Sequence, residues 1–256
     1  MEVGRGVRRP RLVCAAQFEA ALSRDATLVL LHPIGLDGNS FSLLGLHDAV
    51  APDLLGHGGR PRQPGMTLDD LARDVAEGSS GPLDVVGVSL GAMVGLHLAL
   101  DHPERVRSLV VACSGAFADP DTMLDRARAA ESGMAGVLEE TLRRWFTPGA
   151  FARADHPGVQ RARDSLLQMD PLAFADGWRA IAGHDVRDRL GELKVPLTCV
   201  AGSKDLAAPP ERLLAIAEAV EGSRFVVLDA PHIVQLEEPA AFRQAIEEHL
   251  QAILDR

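Results

Sequence analysis

The chain has 256 residues, of which 46% are hydrophobic and 24% charged, enough to bury one large core or one core with a modest insertion. A net charge of −10, from 36 acidic and 26 basic residues, argues against a nucleic acid partner, because no general surplus of cations exists to neutralise phosphates. It does not exclude a small anionic substrate, since a pocket can carry a local sign of its own.

Residues 1–10 read as a loose tail carrying Arg5, Arg8 and Arg9, and Arg11–Phe18 as an edge strand. No long apolar run follows the arginines, so neither a signal peptide nor a membrane anchor is expected. Cys14, Cys113 and Cys199 are odd in number and far apart. They suggest no disulfide framework or metal spacing, and a cytoplasmic location is expected.

Thr27–Leu31 is continuous and apolar, as a central parallel strand should be. It runs into His32-Pro33-Ile34-Gly35, a loop at the carboxyl end of a strand, where open α/β sheets bind ligands. This loop is either a plain turn or the source of an Ile34 N–H for an oxyanion hole, with His32 as a wall or orienting residue. Ser40–Leu46 suits a short helix and His47–Ala51 the next strand; His57, between Gly56 and Gly58, reads as a structural loop residue. Thr67–Glu77 suits a helix capped by Thr67.

Leu83–Val88 is another buried strand and ends in Gly87-Val88-Ser89-Leu90-Gly91. A strand, a Gly-x-Ser-x-Gly turn and an apolar helix form the setting of a nucleophile elbow. Ser89 is the candidate nucleophile, and the Leu90 N–H the second oxyanion donor. In a chain with 24 glycines the pentapeptide alone could equally be an ordinary turn, so a base and an acid must follow.

Val106–Val111 is a further strand, after which the alternation stops. From Ala118 to about Leu190 the pattern is helical, interrupted by Gly133, Gly136, Pro148, Pro157, Pro171 and Gly183. This is too long for a structureless loop and reads as a helical insertion. Trp145, Met169 and Trp178 are its candidate substrate-binding residues. Arg143, Arg144, Arg161 and Arg163 read as solvated, with the alternative that one of them grips a substrate carboxylate.

The sheet resumes at Val195–Ala201 and leads to Asp205, the candidate acid. Pro209–Val220 is a helix, Arg224–Leu228 the last strand, and His232 beyond it the candidate base; Glu237–Ile253 closes the chain. Asp229 is the competing acid, although three residues from His232 it is better placed to brace the loop.

The stretches LVLLHPIG, VAPDLLGHG, VVGVSLGAMVGLHLA, HPERVRSLVVA, VPLTCVAGSKDLAAPP and FVVLDAPHIVQLEEPAAF resemble the α/β-hydrolase superfamily from about Ala26 to Leu250. The order Ser89, Asp205, His232 matches its triad order. RWFTPGAF and MDPLAFADGWRAIAGHDVRDRLGELKVP look most like the 3-oxoadipate enol-lactonase group; His-Pro-Ile-Gly departs from the small, polar loop of that group.

The resemblance implies an α/β-hydrolase fold with a mostly parallel central sheet flanked by helices and a helical cap inserted after the sixth strand. The core then comprises residues 1–117 and 191–256 and the cap residues 118–190. The implied activity is a serine hydrolase opening a small lactone, with no metal or organic cofactor, no nucleic acid and no membrane. Carboxylester or C–C bond hydrolysis, a biosynthetic cyclase or tailoring role, and a non-catalytic binding role are the rival readings.

Overall fold

The computed structural model describes residues 26–255; the expected edge strand Arg11–Phe18 and Cys14 lie outside them. Five parallel strands stand side by side in chain order: β1 Thr27–Leu31, β2 Leu83–Val88, β3 Val106–Ala112, β4 Leu197–Gly202 and β5 Arg224–Leu228. The inner strands β2, β3 and β4 are largely apolar and buried because both faces of the sheet are covered there, whereas β5 at the described edge is only partly buried. Val29, Leu31, Val85, Leu109 and Val111 face one core. Leu28, Leu30, Val86, Val88 and Val110 face the other.

His47–Ala51 does not form the expected strand. Only Val50 pairs, donating its N–H to Leu28 O at 2.8 Å and accepting from Leu30 N at 2.9 Å. Val50 is half exposed among the described residues, and its neighbours in 47–51 make no further ladder pairs there. The helical insertion follows β3, the third strand among the described residues.

Helix α1 (Leu68–Glu77) begins with a reciprocal capping box between Thr67 and Asp70 and turns Leu68, Leu71, Ala72 and Val75 inward. Helix α2 (Leu90–Asp101) is apolar nearly all round and is buried behind the sheet. The expected helix at 40–46 is a 3-10 helix over Gly38–Leu44.

Between β3 and β4 stand α3 (Pro120–Glu131), α4 (Met134–Trp145), α5 (Pro148–Phe151), α6 (Pro157–Gln168) and α7 (Pro171–Ala182). The prolines that look like interruptions in the sequence are first residues of helices, where a missing N–H is harmless. Asp119, Thr147, His156 and Asp170 cap the helices they precede. Gly136 lies inside α4 and breaks nothing.

The two ends of this segment meet: Ala118 N donates to His184 O at 2.9 Å, and Val186 N to Ala116 O at 2.8 Å. Two further helices flank β5, α8 (Pro210–Ala219) before it and the short α9 (Val234–Glu237) after it. The closing helix α10 (Pro239–Leu254) seals the second core with Phe242, Ile246 and Leu250. Among the described residues no helix is long and apolar enough to cross a membrane.

Candidate active site

Ser89 sits between β2 and α2 with φ 54° and ψ −113°. A side chain with positive φ is strained by about 1–3 kcal/mol, and the surroundings hold it there. Ser89 N donates to Ala112 O at 2.9 Å, while Ser89 O accepts from Ala92 N at 3.0 Å and Met93 N at 3.1 Å. The flanking glycines are required by close approach. A Cβ on Gly91 would stand 2.0 Å from Leu31 O, and one on Gly87 would stand 2.3 Å from Gly91 O.

The structure brings the three expected side chains together. The Ser89 hydroxyl faces His232 Nε2 at 2.9 Å, and His232 Nδ1 faces Asp205 Oδ2 at 2.8 Å. With Nδ1–H donating to the carboxylate, Nε2 is the acceptor for the serine proton. Asp205 Oδ1 is fixed separately by the N–H groups of Ala207 and Ala208, both at 2.8 Å. All three side chains are buried. Asp229, the competing acid, is exposed and paired with Lys204 Nζ at 2.9 Å and Ser203 Oγ at 3.2 Å; it braces the loop.

Ile34 and Leu90 border Ser89 from the β1 loop and from the start of α2. Among the described residues neither N–H is given to a protein acceptor, so both are available to a developing oxyanion. His32 is behind this loop: Leu54 N donates to its Nε2 at 2.9 Å, so its Nδ1–H donates to Pro33 O at 2.8 Å. Complete burial pushes His32 down to about 4 and keeps it neutral; it shapes the loop. His57 lies against it, ring centroids 5.0 Å apart, and its Nδ1 meets Leu55 O at 3.0 Å, in keeping with a structural role.

A cavity of about 40 Å³ opens over Ser89 and His232, lined also by Ile34, Met93, Trp145 and Trp178. Trp145 and Trp178 are thus where the sequence expected them. Met169 is not. It ends α6 and lines a separate surface groove with Asp53, Arg60 and Arg62, because the chain turns away from Ser89 between α6 and α7.

Cys113, at φ 48°, also borders the cavity; burial and the neighbouring Asp205 push its thiol well above its ordinary value, so it stands as a neutral thiol. Of the four arginines read as solvated, Arg143 stacks on Phe151 and Arg163 pairs with Glu139, but Arg144 turns into the cavity wall. Arg126 and Arg212 line it too and were not singled out by the sequence. For Arg126 a signal existed: it lies on the same α3 face as the buried Met123, Ala127 and Ala130.

A sequence model described as the alpha/beta hydrolase fold matches residues 27–239. The chain is 31% identical over 163 residues to 3-oxoadipate enol-lactonase 2 of Acinetobacter baylyi, covering 63% of this chain and 61% of that relative. The alignable part therefore spans less than two thirds of that relative's length. It is 31% identical over 245 residues to the pimeloyl-[acyl-carrier protein] methyl ester esterase of Aeromonas hydrophila, covering 86% and 93% of the two chains. The crystal structure of the enol-lactonase from Burkholderia xenovorans superposes with a TM-score of 0.83 at 27% identity, over 88% of this chain and 92% of that one.

Proposed function

We propose that this chain, which belongs to the alpha/beta hydrolase fold family, hydrolyses the ester bond of a small lactone of the 3-oxoadipate enol-lactone kind through an acyl-enzyme on Ser89. The observation that carries this reading is the buried series Asp205–His232–Ser89, with both hydrogen bonds under 3 Å. It ends at a serine that the elbow holds out in a strained conformation.

In the acylation step His232 Nε2 takes the Ser89 proton as Oγ attacks the lactone carbonyl. The tetrahedral oxyanion is received by the N–H groups of Ile34 and Leu90. Collapse breaks the ring C–O bond, and His232 returns its proton to the leaving oxygen. That oxygen remains attached to the acyl group, so ring opening and acylation are one step. A water then gives a proton to His232 and attacks the acyl carbonyl; Ser89 is reprotonated and the acid leaves in its enol form, which ketonises to the oxo-acid. Asp205 holds the imidazole in the required tautomer and balances the imidazolium.

Residues 118–190 act as a cap on this chemistry: Trp145 and Trp178 close the cavity from above, while residues 26–117 and 191–255 carry the three reacting side chains. Arginine in the cavity wall favours an acidic lactone over a purely apolar ester. The test is turnover of 3-oxoadipate enol-lactone beside a panel of neutral aryl esters and unrelated lactones, with Ser89→Ala as control. Selective, Ser89-dependent opening of the enol-lactone is the expected result. Ester turnover alone would remove the lactone assignment, and activity that survives in Ser89→Ala would remove the nucleophile.

A further inference from the structure

Arg126 and Arg144 come from different helices, α3 and α4, yet both point at one indole. The Arg126 guanidinium carbon stands 4.9 Å from the Trp178 ring centroid, and that of Arg144 stands 5.9 Å from it. Like charges are thereby gathered in a largely buried place. Several arginines elsewhere in the described fold are answered by carboxylates: Arg62 by Asp176 at 2.5 Å, Arg60 by Asp74 at 2.8 Å, Arg189 by Asp101 at 2.9 Å.

Here the answer is missing. Arg126 touches only Met123 Sδ, at 3.9 Å, among the described side-chain hydrogen bonds. Arg144 has Glu140 at 3.8 Å, a carboxylate that is 84% exposed and therefore well screened. The buried Arg144 Nε has no acceptor among the described residues. Burial and the charge of Arg126 push Arg144 down to about 10, and burial lowers Arg126 as well. An anion placed between the two guanidinium groups relieves both the repulsion and the unmet donor.

The same three side chains divide two spaces. Arg126, Arg144 and Trp178 line both the cavity of about 40 Å³ over Ser89 and an adjoining pocket of about 350 Å³ edged by Thr122, Thr141 and Phe174, with Asp125 and Glu140 also on its wall. The inner space is much the smaller of the two. A substrate whose carbonyl reaches Ser89 must therefore leave its remainder beside the arginines.

We propose that Arg126 and Arg144, seated on Trp178, form a subsite for a substrate carboxylate several bonds from the scissile ester. They thereby select anionic lactones and half-esters of dicarboxylic acids over neutral esters. This rests on Ser89 being the nucleophile. The arginines are specificity residues and take no part in bond making.

The probe is a matched pair of 4-nitrophenyl esters of equal chain length, the adipate half-ester and the neutral hexanoate, assayed with wild type, Arg126→Gln, Arg144→Gln and Ser89→Ala. Wild type is expected to favour the anionic ester at least tenfold in kcat/KM. Each Arg→Gln change should bring that ratio close to one, mainly through a higher KM for the half-ester, and Arg144→Lys should restore part of it. Free adipate should inhibit wild type competitively at concentrations where hexanoate does not, a readout that survives if a variant fails to fold. Ser89-dependent hydrolysis with no anionic preference, or equal inhibition by adipate and hexanoate, overturns the subsite and leaves the nucleophile standing. Hydrolysis retained in Ser89→Ala overturns the nucleophile itself.

Discussion

The Ser165 hydroxyl on α6 donates to the Gly35 carbonyl at 2.9 Å. One helix of the inserted segment is thus tied to the loop that carries Ile34, whose N–H is the proposed oxyanion donor. Ser165→Ala removes one hydrogen bond, a loss of about 1 kcal/mol, from the position of an oxyanion donor. The expected outcome is a kcat about three- to tenfold lower with KM nearly unchanged, because the donor matters more to the tetrahedral state than to the bound ester. A change confined to KM would show that the contact positions substrate and not the oxyanion.

Asp205 spends its two oxygens differently, and that makes Asp205→Asn informative. The oxygen of an asparagine is retained by the N–H groups of Ala207 and Ala208, which now bind Oδ1 at 2.8 Å. Its NH₂ is then turned to His232 Nδ1, which must accept instead of donate. The ring proton moves to Nε2 and faces Ser89, and the base is lost. Turnover is expected to fall by about 10³- to 10⁴-fold with the thermal midpoint shifted by only a few degrees; a loss below tenfold would show that Asp205 does not set the tautomer.

Two glycine substitutions should move stability in opposite directions. Gly91→Ala places a methyl 2.0 Å from the Leu31 carbonyl, a backbone contact that cannot swing aside, and should cost the upper end of about 1–3 kcal/mol or more. Gly136→Ala, in α4 with open space around it, should gain about 0.5–1 kcal/mol from helix propensity. Urea midpoints of the two variants beside wild type give the comparison. Equal effects would mean that the elbow backbone is looser than drawn.

These contrasts also mark what the chain discloses on its own. Strands buried on both faces, such as Val85–Val88, announce themselves because burial demands an uninterrupted apolar run. Ser89 and Asp205 are legible because each follows such a strand, and His232 because it follows the last, only partly buried strand at the distance the triad order requires. His47–Ala51 has similar residues but pairs only through Val50 among the described residues, and no local pattern reports how far a pairing will run. The inserted helices are harder still. Their prolines look like breaks until capping residues such as Asp119 and Asp170 are seen to make them starts. Whether Arg144 or Met169 faces Ser89 depends on how α4 and α6 are laid across the sheet, which no single helix encodes.

Three buried histidines predict how stability changes with pH. Burial pushes His32 and His184 down to about 4, and burial with the neighbouring His32 pushes His57 down to about 3. In the unfolded chain each returns to an ordinary value near 6.5. Between pH 6.5 and about 4 the unfolded state therefore binds about three protons that the folded state refuses. The stability present above pH 6.5 is lost as the pH falls through this window, with a slope of up to about 4 kcal/mol per pH unit. Urea midpoints should be flat from pH 8 to 7 and fall steadily from pH 6.5 to 5. His184→Asn, which can still donate towards Gly115 O, now 2.9 Å from His184 Nε2, should reduce the slope by about one proton's worth, or about 1.4 kcal/mol per pH unit. A midpoint unchanged between pH 7 and 5 would mean that these rings take up protons inside the folded protein.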